Sequence, residues 1–92
     1  MNMEEIRKNI DDIDDELCDL FKKRMDLALA MAEYKKEHGL AVLDQNREEQ
    51  VLARISEKLG EPLDQYGRIL FNTIFEVSKS YQNSRMQEPA GA

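Results

Sequence analysis

The chemistry of this sequence lies in polar side chains at positions where an apolar helix face would otherwise continue. Arg24 stands where the spacing of Leu17, Leu20 and Leu27 requires an aliphatic residue. Lys35 follows eleven residues later, which places it three helical turns along and within about 20° of the same face. Because a buried charge is costly unless it is paired or bound to something, this placement requires a counter-charge.

Two later segments add polar residues on comparable faces. Glu48 lies on an inward face with Arg47 beside it, and Ser78 and Gln82 continue a line of two phenylalanines. The combined set has more positive than negative charge. This surplus predicts a small dianionic ligand, bound by arginine side chains whose forked geometry matches carboxylates. The structural alternative is that Arg24 pairs with Glu48 and no ligand is bound.

Other classes of chemistry have little support in the composition. The chain has one histidine and one cysteine, Cys18, so an intramolecular disulfide is impossible and a metal site or nucleophilic catalysis lacks residues. A net charge of −6 opposes binding to nucleic acid. No stretch approaches the roughly 20 apolar residues of a membrane span, and the N-terminus does not resemble a signal peptide. We therefore predict a cytoplasmic protein that needs no metal or cofactor.

Three helices must position these residues. The patterns predict a first helix over about residues 3–38 and a second that ends near residue 59, after an N-cap at Asp44. The third is predicted over about residues 64–85, and no segment has the pattern of a strand. The sequence therefore predicts an all-α domain over residues 1–86, followed by a flexible tail over residues 87–92.

The apolar positions predict which helix faces are buried. On the first helix they form one stripe, made of Ile6, Ile10, Ile13, Leu17, Leu20, Leu27, Met31 and Tyr34. On the third helix the inward residues are predicted to be Ile69, Leu70, Ile74, Val77 and Tyr81, with Phe71 and Phe75 flanking them. A first helix of about 54 Å exceeds the diameter of about 30 Å expected for a compact chain of this size. A partner is needed to cover the stripe, so we predict a homodimer with two-fold symmetry.

Arg7 fits the same expectation. It lies seventeen residues before Arg24, about 25 Å away along the helix. It cannot reach the same small ligand within one chain, but in an antiparallel dimer it could reach the partner's site. The alternative is an ordinary exposed arginine in a first helical turn.

Taken in order, these residues resemble the all-helical class of chorismate mutases. The resemblance covers about residues 4–83 and rests on the elements Arg7-x6-Asp14-x9-Arg24-x10-Lys35, Asp44-x2-Arg47-Glu48 and Ser78-x3-Gln82. It implies an intertwined homodimer of three-helix subunits that rearranges chorismate to prephenate without metal or cofactor. The implied chemistry is a [3,3] rearrangement, which needs no proton transfer and no nucleophile.

The resemblance also implies which residues bind the two substrate carboxylates. Arg24 and Arg47 would bind them with help from Ser78, and Arg7 would reach across from the other subunit. Asp44 would act mainly as the helix cap that supports Arg47 and its neighbour.

The remaining roles concern the reacting atoms. By resemblance, Lys35 and Gln82 would hydrogen-bond the ether oxygen of the breaking bond, and Glu48 would hold the ring hydroxyl. Two other functions stay open at this point. One is an isochorismate-pyruvate lyase of the same fold, and the other is a non-catalytic helical dimerisation module in which Arg24 and Glu48 are a buried pair.

Overall fold

The protein is all-α in a computed structural model that describes residues 1–86. Its elements are α1 (Met3–Glu37), α2 (Gln45–Leu59) and α3 (Asp64–Met86), and no strand occurs within the described residues. These bounds agree with the predicted ones to within one residue, so the predicted fold class is confirmed. The tail predicted over residues 87–92 lies outside the described residues.

Local capping interactions account for where the helices begin and end. At the start of α1, the Asn2 side-chain oxygen accepts a hydrogen bond of 2.9 Å from the Glu5 N–H. At the end of α2, Gly60 has φ 69° and ψ 177° and donates its N–H to the Ser56 carbonyl. This backbone conformation is essentially reserved for glycine. Gly60 therefore ends α2 and lets the chain turn back into α3.

α3 packs against both α1 and α2, which do not pack against each other. Its buried Gly67 has no side chain, and a Cβ atom there would overlap the side chain of Leu59 on α2. The buried apolar cluster joins Val51 and Ile55 of α2 to Phe75 of α3. α3 is therefore the helix that fixes the positions of the other two.

The predicted inward face of α3 is wrong for three of its residues. Ile69, Leu70 and Val77 are exposed, with 65%, 55% and 41% of their surface accessible. The buried residues of α3 are instead Gly67, Phe75 and Ser78. α3 carries apolar residues on two faces, and the close approach at Gly67 selects which face meets α2. Hydrophobicity alone does not make that choice.

The three helices form a single layer. The Cα extents of the described residues are 52 × 32 × 14 Å, so the arrangement is flat in one direction. The radius of gyration is 16.6 Å, whereas a compact chain of this length has about 12 Å. Helical domains ordinarily bury a core between two layers, and the described residues of this chain form one.

The predicted apolar stripe of α1 is consequently uncovered in the single chain. All eight of its residues are exposed, and the most exposed, Leu27, has 70% of its surface accessible. The residues of α1 that are buried are Met25 and Ala32, on a different face. Separately, no helix within residues 1–86 is long and apolar enough to cross a bilayer.

We predict that Gly60→Ala destabilises the protein, because alanine must adopt a backbone conformation that its Cβ disfavours. The expected decrease in the free energy of unfolding is about 1–3 kcal/mol, measured by urea denaturation at fixed protein concentration. The control is Glu57→Ala on the exposed surface of α2, which should change the value by less than about 0.5 kcal/mol. Equal stabilities for the two variants would contradict the role given to Gly60.

Candidate functional site

A cavity of about 560 Å³ is lined by all three helices and by the loop between α1 and α2. The structure brings seven of the eight predicted site residues to this cavity: Arg24, Lys35, Asp44, Arg47, Glu48, Ser78 and Gln82. Arg7 is exposed and is not part of the lining. One cavity therefore receives polar groups from three separate segments of the sequence, as the pattern of polar residues indicated.

Arg24 is held by α3 from two directions. Its Nη1 donates a hydrogen bond of 3.3 Å to the Ser78 hydroxyl, and its guanidinium carbon lies 5.9 Å from the centre of the Phe75 ring. The buried Ser78 hydroxyl in turn donates to the Met25 sulfur at 3.5 Å. These contacts restrict the guanidinium to one position at the cavity wall, which is the condition for directional binding of an anion.

The positive charge of Arg24 is not neutralised by the protein. No ion pair joins it to a carboxylate anywhere in residues 1–86. Burial, and secondly the positive charge of Arg47, lowers the pKa of Arg24 from its ordinary value. The structural alternative of an Arg24–Glu48 pair is wrong, because Glu48 pairs with Lys79 at 3.4 Å. Two neighbouring arginines thus line one cavity, and neither forms an ion pair with a carboxylate of residues 1–86.

Lys35 is positioned by the loop that follows α1. Its Nζ donates a hydrogen bond of 3.0 Å to the main-chain carbonyl of Val42, and the side chain is half-buried. A lysine side chain has many rotamers, so this bond limits the region that the ammonium group samples. The ammonium keeps two further N–H groups with which it can donate to a ligand.

The beginning of α2 is fixed by Asp44, which caps the helix as predicted. Its Oδ1 accepts a hydrogen bond of 3.0 Å from the Arg47 N–H, and its carbonyl accepts one of 3.1 Å from the Glu48 N–H. Arg47 and Glu48 therefore leave a rigid first turn toward the cavity. The positive end of the helix dipole of α2 lies at the same place and favours negative charge nearby.

Two charged residues that line the cavity, Arg54 and Lys79, were not predicted from the sequence. Arg54 follows Arg47 by seven residues, about 20° away on the same face of α2, so its spacing carried a usable signal. Lys79 gave no such signal. It directly follows Ser78 in the chain, so the helical pattern places it on a different face of α3. With these two, the lining holds five cationic side chains and only two carboxylates, Asp44 and Glu48.

Of the serines in α3, only Ser78 lines the cavity, together with Gln82. Ser78 is buried and Gln82 is half-buried, and both line the cavity. Ser80 and Ser84 are exposed and do not line it. Ser78 and Gln82 therefore continue the line of Phe71 and Phe75 along α3, as the spacing predicted.

Known proteins are similar to this chain over the segment that contains the site. The family model described as chorismate mutase type II matches residues 6–83, a range that contains all eight candidate residues. A chorismate mutase of Methanocaldococcus jannaschii is 33% identical over 86 residues, which are 91% of this chain and 87% of that protein. No solved structure is a significant match to the chain.

We predict that Arg24→Leu does not destabilise the protein in the absence of ligand, because it removes an unpaired, half-buried charge. Burial of a charge without an ion pair is unfavourable, so the melting temperature should stay the same or rise. The measurement is a thermal melt of both proteins, with Lys58→Leu on the surface of α2 as the control. A clear fall in melting temperature for Arg24→Leu alone would show that Arg24 serves stability.

Proposed function

The chain belongs to the chorismate mutase type II family and isomerises chorismate to prephenate in aromatic amino acid biosynthesis, and from this premise we propose how its cavity performs the reaction. The observation that carries the proposal is the pair of arginines, Arg24 and Arg47, that line one cavity and form no ion pair within residues 1–86. Chorismate carries two carboxylates, and the rearrangement requires it to fold into a compact chair. The cavity supplies the positive charge that such a dianion needs.

We assign Arg24 and Arg47 to the substrate carboxylates. Arg24 is fixed by Ser78 and Phe75, and Arg47 leaves the capped first turn of α2. Two points of attachment restrict the substrate to few conformations, including the one in which the atoms that will bond lie close together. Such restraint removes part of the entropic barrier of a reaction that has no other reactant.

We assign Lys35 to the ether oxygen, with Gln82 as a second donor. As the C–O bond breaks, negative charge grows on that oxygen, so a fixed ammonium stabilises the transition state more than the ground state. The bond from Lys35 to the Val42 carbonyl places the ammonium before the substrate arrives. A donor of this kind typically contributes about 3–4 kcal/mol.

Glu48 is assigned to the ring hydroxyl, whose proton a carboxylate can accept as a hydrogen bond. It is half-buried in the first turn of α2, and Asp44 holds that turn in place. In this arrangement Asp44 acts mainly by positioning Arg47 and Glu48.

We further propose that the active form is a homodimer in which Arg7 of the partner subunit completes each site. The single layer of helices and the exposed stripe of α1 support a second layer made by another copy. Arg7 lies about 25 Å from Arg24 along α1 and is exposed, so it is available to another chain. We also propose a cytoplasmic location, in keeping with a single free cysteine, Cys18.

We predict that Lys35→Ala lowers kcat by about 10²–10³-fold, because the growing charge on the ether oxygen loses its counter-charge. The assay follows the disappearance of chorismate and identifies prephenate as the product. The matched control is Lys36→Ala, which removes the exposed neighbouring lysine and should retain nearly full activity. Loss of activity below tenfold in Lys35→Ala would contradict the assignment. Release of pyruvate and salicylate from isochorismate would instead indicate a lyase.

We predict that two inactive variants, Arg7→Ala and Lys35→Ala, restore activity when unfolded together and refolded as a mixture. A mixed dimer has one site that combines an intact Lys35 with an intact Arg7 of the partner subunit. Random pairing therefore gives about one quarter of the parent activity. A mixture no more active than its components would show that Arg7 acts within its own chain or not at all. Size-exclusion chromatography with light scattering checks the dimer directly.

A further inference from the structure

Lys79 is a cavity residue that the proposed reaction does not use. Its Nζ lies 3.4 Å from Glu48 Oε2 across the α2–α3 boundary and 3.0 Å from Glu76 Oε1, one turn earlier on α3. Lys79 and Glu48 are half-buried, while Glu76 is largely exposed. The three side chains thus form a chain of charges from solvent to the cavity wall.

We propose that Lys79, anchored by Glu76, is a positioning residue that orients the Glu48 carboxylate toward the substrate hydroxyl. The inference rests on the proposed role of Glu48. Lys79 directs its ammonium group to two carboxylates, which leaves at most one of its three N–H donors for any other contact. One oxygen of Glu48 faces Lys79, which leaves the other oxygen for the hydroxyl.

Lys79 stays positively charged at any pH of an ordinary assay. The hydrogen bond to Glu76, followed by the charges of Glu48 and Glu76, raises the pKa of Lys79 above its ordinary value, although desolvation acts in the opposite direction. A raised lysine pKa means that the cation is lost only under strongly alkaline conditions. Lys79 therefore supplies a constant positive charge beside Glu48.

Lys79 also offsets a repulsion within the site. Chorismate is a dianion, and an unpaired carboxylate at the wall would oppose its binding. The charged groups that share the cavity with Glu48 are Arg24 and Lys35 of α1, Asp44, Arg47 and Arg54 of the α2 segment, and Lys79 of α3. Within residues 1–86, Lys79 is the only residue that forms an ion pair with Glu48. Its cation therefore neutralises Glu48 without using the arginines assigned to the substrate.

The test is a double-mutant cycle on kcat/KM with chorismate as the substrate. We expect Lys79→Met to lower kcat/KM by about three- to tenfold in the parent, but by less than about twofold in the Glu48→Gln background. Lys79→Arg should retain most of the activity, and Lys58→Met on the surface of α2 is the matched control for loss of one lysine. Glu76→Gln should change kcat/KM in the same direction as Lys79→Met, by a smaller factor.

Rescue by the conservative variant gives an independent readout, because the guanidinium of Lys79→Arg can still hold the Glu48 carboxylate whereas the uncharged side chain of Lys79→Met cannot. A loss from Lys79→Met that is equal in both backgrounds would overturn the inference, because Lys79 would then act on the substrate directly. An unchanged kcat/KM in Lys79→Met would overturn it as well. Absence of chorismate turnover by the folded parent would instead refute the proposed function itself.

Discussion

The positive charge of two neighbouring arginines, left without ion pairs at one cavity, sets what this site can bind. Arg24 is half-buried beside Arg47 and has no carboxylate partner within the described residues, although the chain as a whole carries a net charge of −6. Acidic side chains are abundant and could have compensated the pair. Their placement elsewhere keeps the cavity positive while the outer surface stays acidic. A local field of this kind can bind a small dianion in a protein whose overall charge would repel one.

α3 holds the charged residues of the cavity in place. Ser78 and Phe75 fix Arg24, and the packing of Phe75 on Val51 and Ile55 fixes α2 against α3. α1 and α2 do not pack against each other, so the cavity between them depends on α3, which packs against both. Electrostatic catalysis requires groups that do not reorganise during the reaction. In this fold helix packing positions Arg24.

Most of the fold and most of the cavity could be predicted because their signals are local. Asp44 caps α2 through its own side chain, and Arg24 marks the cavity by interrupting an apolar stripe. The rotation of α3 could not be predicted in the same way, since Leu70 and Phe75 are both apolar and only the approach at Gly67 decides between their faces. The partner of Glu48 was also beyond reach, because Arg24 and Lys79 are both cations and the choice depends on three-dimensional distance.

The thinness of the helical layer has a consequence for the life of a newly synthesised chain. Twenty large hydrophobic side chains, from Met1 to Val77, remain exposed after the three helices have packed. Until another surface covers them, a molecule with complete secondary structure is still prone to aggregate. In the homodimer that we propose, assembly covers this surface, so aggregation competes mainly in the interval between helix packing and dimer formation. This interval shortens as the expression level rises.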